Sequence, residues 1–122
     1  MAAAIGIDIG GTRLRAARVR DGVIEARAQA PSTPDAAEVV ARVLDLVAQV
    51  RDDSVIAVGV GVPGQVHAAT RRVLSGGYVN LADVNIAARL EAATGLPVAI
   101  ENDATMALLG EAAHGAARGR AN

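Results

Sequence analysis

The chain has 122 residues, 52% of them hydrophobic, with thirteen acidic against twelve basic side chains and a net charge of -1. That length suits one domain that buries roughly two-thirds of its unfolded surface, with no room for a second. The balanced charge argues against a general electrostatic grip on nucleic acid or anionic lipid, and a composition with no Phe, no Trp and a single Tyr78 offers no platforms for stacking bases.

The apolar start has no basic flank and runs straight into Asp8, which marks a strand rather than a signal peptide. Ala3 to Asp8 is nearly continuous in apolar residues, as in a central strand covered on both faces. A second strand, Arg13 to Arg20, meets a third, Val23 to Ala30, across Asp21-Gly22, a dipeptide favoured in tight hairpin turns. In the third strand Ile24, Ala26, Ala28 and Ala30 alternate with Glu25, Arg27 and Gln29, which predicts one face in and one face out. Thr33-Pro34-Asp35 then predicts a helix start, with Thr33 as N-cap and proline at the first helical position. Val39, Val40, Val43, Leu46, Val47 and Val50 continue it at helical spacing.

Ser54 to Val62 reads as another strand, with Ile56, Val58, Val60 and Val62 on one face and Ala57, Gly59 and Gly61 on the other. A bare glycine face in a strand marks close approach by a helix, another backbone or a ligand. Pro63-Gly64 ends it, Gln65 to Ser75 predicts a second hairpin, and Asp83 to Thr94 a short helix stopped by Gly95. Val98 to Glu101 is the last strand, and Asn102 to about Gly115 the last helix. Strand, strand, strand, helix, strand, helix, strand, helix gives a mixed sheet with helices on its faces.

Two stretches carry chemistry. Asp8-Ile9-Gly10-Gly11-Thr12 puts a carboxylate, a glycine turn and a hydroxyl at a strand's end. Main-chain N–H groups can converge there on an anion, Thr12 can donate to a phosphate oxygen, and Asp8 can hold a metal ion directly or through water. The plainer alternative is a hairpin turned by Gly10-Gly11 with Asp8 solvated at its rim, and the two readings are compatible. Glu101-Asn102-Asp103-Ala104 is the second stretch, where a strand hands over to a helix. Asn102 and Asp103 suit helix capping, and a carboxylate beside a helix N-terminus also stays ionised, able to take a proton from a bound hydroxyl. In α/β sheets ligands gather outside the carboxyl ends of strands, and three such ends here are polar or glycine-rich: Asp8 to Thr12, Pro63-Gly64 and Asn102-Asp103.

Taken together, Gly6 to Thr12, Gly59-Val60-Gly61-Val62-Pro63-Gly64, Gly95-Leu96-Pro97-Val98 and Glu101 to Ala104 resemble the ROK family (repressor, open reading frame, kinase) of the actin-like ATPase superfamily. The resemblance covers nearly the whole chain. It implies a ribonuclease H-like α/β lobe with a mixed five-stranded sheet, in a two-lobed enzyme that transfers the γ-phosphoryl of ATP to a hydroxyl of a hexose or N-acetylhexosamine. It also implies that Asp8, Gly10, Gly11 and Thr12 face the ATP phosphates and Mg2+. Gly64, Asn102 and Asp103 then face the sugar, and Asp103 is the base. Where the family often reads Ala-Pro-Asn-Leu, this chain has Ser75-Gly76-Gly77-Tyr78-Val79-Asn80-Leu81, so a sugar contact falls at Gly77 or shifts to Asn80. Gln65 and His67 stand where the family has a small residue or proline and an acid.

The resemblance further implies a C-terminal lobe beyond this chain, with residues 1–115 as the N-terminal lobe and 116–122 as the start of a linker. Such a piece is expected to be inactive alone and without a zinc site, and the full-length protein leaves room for a homodimer. The rival reading is the sugar-sensing lobe of a ROK transcriptional regulator, whose DNA-binding helix-turn-helix is not expected to fit in the few residues before the first strand's core. With no cysteine for disulfides, thiolate metal sites or nucleophiles, and no span apolar enough for a membrane, the expected location is the cytoplasm. His67 and His114 read as surface or packing residues. Arg13, Arg15, Arg18 and Arg20 are expected to be solvated, with Arg13 singled out for its place beside Thr12.

Overall fold

A computed structural model describes residues 2–62, 66–67, 72–73 and 84–102. Strands β1 (Ala3–Ile9), β2 (Arg13–Arg20) and β3 (Val23–Pro31) form an antiparallel meander, followed by helix α1 (Ala36–Val50) and strand β4 (Val55–Val62). After the short strands β5 (Val66–His67) and β6 (Arg72–Val73) come helix α2 (Ile86–Thr94) and strand β7 (Val98–Asn102). The main sheet has the order β3-β2-β1-β4-β7. Its β1–β4 and β4–β7 pairs are parallel and its β1–β2 and β2–β3 pairs antiparallel. This is the mixed five-stranded sheet that the sequence predicts, and β5 with β6 is the second hairpin, paired antiparallel.

Hydrophobic burial accounts for the layers. Ile5, Ile7 and Ile9 on β1, Leu14 and Ala16 on β2, and Val58, Val60 and Val62 on β4 form one face. Against it pack Val39, Val43, Leu46 and Val50 of α1 and Ile86 and Leu90 of α2. Of the apolar positions predicted for α1, Val39, Val40, Val43, Leu46, Val47 and Val50 are buried, while Ala36 in the first turn is only partly so. At the β1–β4 pair the opposite face is made mostly of small residues: Ala4 and Ala57 pack together there, both essentially without solvent exposure.

The start of α1 differs from the sequence reading. The N-cap is Asp35, whose carboxylate accepts from the amides of Ala37 (2.9 Å) and Glu38 (3.3 Å). Thr33 works one step earlier, accepting from the Asp35 amide and donating to Glu38 Oε2. An anionic cap that satisfies two orphan donors and complements the helix dipole displaces the threonine. In α2 the cap is Asn85, accepting from the Ala88 amide, so the helix starts at Ile86 rather than Asp83; residue 83 itself lies outside the described residues. Gly95 ends it in the left-handed conformation, φ 71°, as expected.

The β2–β3 turn has φ 51° at Asp21 and 77° at Gly22, both positive as a primed hairpin turn requires. Below it the strict alternation expected of β3 fails. Arg18 pairs with Ala26 but Val19 with Ile24, so Glu25 is an extra residue in a bulge. Glu25 thereby turns to the α1 side, where its carboxylate accepts from Arg18 Nε (3.2 Å) and Arg20 Nε (3.0 Å). Ile24 moves to the opposite face beside Arg27 and Gln29. Arg18 also donates to the Val50 carbonyl at 2.7 Å and pairs with Asp52, while Arg20 donates to Ser54 Oγ. These two arginines are therefore tied into the α1–β4 junction and not merely solvated.

Candidate functional site at the carboxyl edge of the sheet

Because β1, β4 and β7 run parallel, their carboxyl ends share one edge. The register aligns Asp8 with Gly61 and Gly61 with Glu101, so Ile9, Val62 and Asn102 end side by side. With adjacent strands about 4.8 Å apart, Asn102 stands roughly 10 Å across the edge from the end of β1. Asn102 is the last residue of β7, not the first of a helix, because it still pairs with Val62. Gly64, Gly77, Asn80 and Asp103 lie outside the described residues, as do His114 and the predicted last helix from residue 103 on.

The tip joining β1 to β2 is Gly10-Gly11-Thr12. The Gly10 amide donates to the Arg13 carbonyl at 3.0 Å and the Ser32 amide to the Thr12 carbonyl at 3.0 Å. Arg42 of α1 in turn donates to the Pro31 carbonyl at 2.7 Å, so the helix holds the end of β3 and β3 holds the tip. The hairpin reading of Gly10-Gly11 is thus correct as structure, and it leaves the phosphate reading intact. Neither glycine has a positive φ, so the geometric demand here is close approach rather than a left-handed backbone. With the Gly10 amide engaged in the turn, the Gly11 and Thr12 amides are the ones that donate to no described residue.

Asp8 alternates with the core residues Ile7 and Ile9, so its carboxylate lies on the small-residue face, beside a glycine on β4 and in register with Arg15 on β2. Burial pushes its pKa above the ordinary aspartate value, and the Arg15 charge pulls it partly back. A single carboxylate fits a magnesium ion that arrives with substrate phosphates and keeps several waters, not an ion caged by protein alone. Among the described residues, no group of three or more His, Asp or Glu is placed to hold a metal ion.

Two residues at this edge escaped the sequence reading. Arg15 was one arginine among four, and only pairing register shows that it faces Asp8. Ser32 carries no sequence signal, yet its Oγ is the one buried side-chain polar atom without a hydrogen-bond partner among the described residues.

The strand order, with a β1–β2–β3 meander and parallel β4 and β7 beside it, defines a ribonuclease H-like lobe of the actin-like ATPase type. The ROK family model matches residues 4–122, and the chain belongs to that family. It is 33% identical over 130 residues to a glucokinase of Streptomyces coelicolor, covering 100% of this chain and 39% of the relative. To a β-glucoside kinase of Listeria monocytogenes it is 38% identical over 107 residues, covering 85% of this chain and 36% of the relative. Among solved structures, the ROK glucokinase of Streptomyces griseus in complex with glucose and AMPPNP superimposes with a TM-score of 0.76 at 33% identity, over 84% of this chain and 34% of that one. The chain thus spans well under half the length of these relatives. No helix among the described residues is long and apolar enough to cross a membrane.

Proposed function

We propose that this chain is the N-terminal lobe of an ATP-dependent sugar kinase that phosphorylates a hydroxyl of a hexose or N-acetylhexosamine. The observation that carries this reading is the shared carboxyl edge, with Asp8 and the Gly10–Thr12 tip at one strand end and Asn102 two strands away. The kinase names of the relatives and the nucleotide and glucose bound to the Streptomyces griseus enzyme support it.

In this mechanism the Gly11 and Thr12 amides and the Thr12 hydroxyl hold phosphate oxygens of ATP, while Gly10 keeps the tip closed. Asp8 would hold Mg2+, directly or through water, and that ion would neutralise charge on the phosphates when bound. Gly64, Asn102 and either Gly77 or Asn80 orient the sugar. Asp103 accepts the proton of the attacking hydroxyl as the new O–P bond forms and the bond from the γ-phosphorus to the bridging oxygen breaks, releasing ADP. Phosphoryl transfer of this kind depends on alignment and charge stabilisation more than on base strength, so one positioned carboxylate suffices.

The remaining wall of the cleft belongs to a second lobe, with residues 1–115 forming the first lobe and 116–122 leading out of it. A single lobe cannot exclude water around the transferring phosphoryl group, so the 122-residue chain alone is inactive. The test is ADP release by the full-length protein with glucose, mannose, allose and N-acetylhexosamines. At least one sugar should raise ATP turnover well above the sugar-free rate. Sugar binding without phosphorylation would identify a sensor instead, and no response to any sugar would overturn the kinase reading.

A further inference from the structure

Ser32 follows β3, and its amide donates to the Thr12 carbonyl at 3.0 Å. That bond carries the β2–β3 ladder one step past the Arg13–Pro31 pair, so Thr12 and Ser32 stand opposite each other. Alternation from the opposed Leu14 and Ala30, both packed into the core beneath α1, puts Thr12 and Ser32 on that same face. Opposed residues have Cβ atoms about 4.5–5.5 Å apart, a separation at which Ser and Thr hydroxyls hydrogen-bond. Here they do not. Ser32 Oγ is buried with no partner, and the hydroxyl of Thr12, a residue exposed at the tip, bonds to no described residue.

The backbone that carries Ser32 is fixed on both sides. Arg42 donates to the Pro31 carbonyl at 2.7 Å, while Thr33 accepts from the Asp35 amide and donates to Glu38 Oε2. Ser32 Oγ therefore gains a partner by rotation of a side chain and not by movement of the strand. A hydroxyl has one proton to give and two lone pairs with which to accept. Once the Thr12 hydroxyl gives its proton to a phosphate oxygen, that bond fixes the direction of its lone pairs, and the donor opposite is Ser32. Two hydroxyls in series polarise each other, which strengthens the outer bond. An orphaned buried hydroxyl destabilises the free protein, and removal of that penalty on binding appears as affinity.

We propose that Ser32 is a positioning residue for Thr12: with phosphate bound, Ser32 Oγ donates to Thr12 Oγ1 while the Thr12 hydroxyl donates to a phosphate oxygen. This role rests on the kinase reading, in which Thr12 faces ATP. It adds a residue from the end of β3 that itself touches no ligand.

The test is calorimetric titration of the full-length protein with Mg-AMPPNP, together with thermal melts, for wild type, Ser32→Ala, Thr12→Val and the double variant. Ser32→Ala should weaken Mg-AMPPNP binding about three- to tenfold, the loss of one hydrogen bond, with the Tm unchanged or raised and sugar affinity unmoved. On the Thr12→Val background, which has no hydroxyl to position, Ser32→Ala should cause no further loss. Should Thr12→Val bind too weakly to titrate, Ser32→Cys decides: it keeps the size with a weaker donor, so its loss should be smaller than that of Ser32→Ala. An affinity of Ser32→Ala within about twofold of wild type, an equal loss on the Thr12→Val background, a Ser32→Cys loss as large as that of Ser32→Ala, or a fall in Tm that marks a structural hydroxyl overturns the assignment. If wild type binds no Mg-AMPPNP, the kinase reading fails and this role with it; if wild type binds and Ser32→Ala matches it, the kinase reading stands and only the role of Ser32 is lost.

Discussion

The Gly10 amide donates to the Arg13 carbonyl at 3.0 Å, and a Cβ placed on Gly10 would sit 3.0 Å from that same oxygen. The turn thus brings the backbone of residue 13 so close to residue 10 that a Cβ there would make the contact unusually tight and force the turn to give slightly. The oxygen is main chain and cannot rotate aside as a flexible side chain would. Gly10→Ala should therefore cost about 1–2 kcal/mol of stability, read by urea unfolding. In the full-length protein it should weaken nucleotide binding while leaving sugar binding unchanged.

Asp8 gives a pH signature of opposite sign to that of a salt-bridged acid. Burial raises its pKa in the folded state, so its contribution to stability is fully present below the unfolded-state value and lost as pH rises through the folded one. Asp8→Asn should raise the Tm at neutral pH, and the gain should fade as pH is lowered through the carboxylate range. The same change in the full-length protein should abolish Mg2+-dependent phosphoryl transfer. A Tm gain that is constant with pH would remove the electrostatic account.

Glu25 behaves in the ordinary way. Hydrogen bonds from Arg20 and Arg18 hold its carboxyl below the usual glutamate value, so its stabilising contribution is present above that value and is lost as pH falls through the lowered one. Glu25→Gln should lower the Tm at neutral pH and match wild type in acid. Arg18→Ala should do more, because it also strips the Val50 carbonyl at the end of α1 of its donor, a loss of about 1.5–3 kcal/mol by denaturant titration.

Ser32 Oγ is buried without a partner, and an orphaned hydroxyl is costly to bury. Ser32→Ala, which keeps the hydrogen bond from the residue 32 amide to the Thr12 carbonyl, should leave the protein as stable as wild type or up to about 1 kcal/mol more so. A marked destabilisation in thermal melts would show that a bound water satisfies the hydroxyl.

For the proposed base, Asp103→Asn in the full-length protein should lower turnover about a hundredfold or more while sugar binding persists. A variant with wild-type turnover would remove Asp103 from proton transfer.

Much of the fold could be read from local pattern. The boundaries of β2 at Arg13 and Arg20, the buried stripe of α1 and the Gly95 stop of α2 follow from periodicity and from residues whose φ preferences leave little choice. The helix start was misplaced because Thr33, Asp35 and Pro34 are all good punctuation, and only three-dimensional bonding shows which oxygen reaches two free amides. The β3 bulge was missed because one inserted residue leaves hydrophobicity nearly periodic while turning Glu25 to the other face.

The phosphate-tip motif and the Asn102-Asp103 stretch needed no structure to be noticed. The Asp8-Ile9-Gly10-Gly11-Thr12 string carries its meaning in contiguous residues, since a glycine turn after an apolar strand is a local property of the chain. That Asp8, the tip and Asn102 lie along one edge was decided by the tertiary structure, through the parallel pairing of β1, β4 and β7. So were Arg15 opposite Asp8, Arg18 beneath the end of α1, and a Ser32 hydroxyl buried without a partner. Strand order and register bring together residues far apart in the chain, and no local propensity encodes which strand becomes whose neighbour.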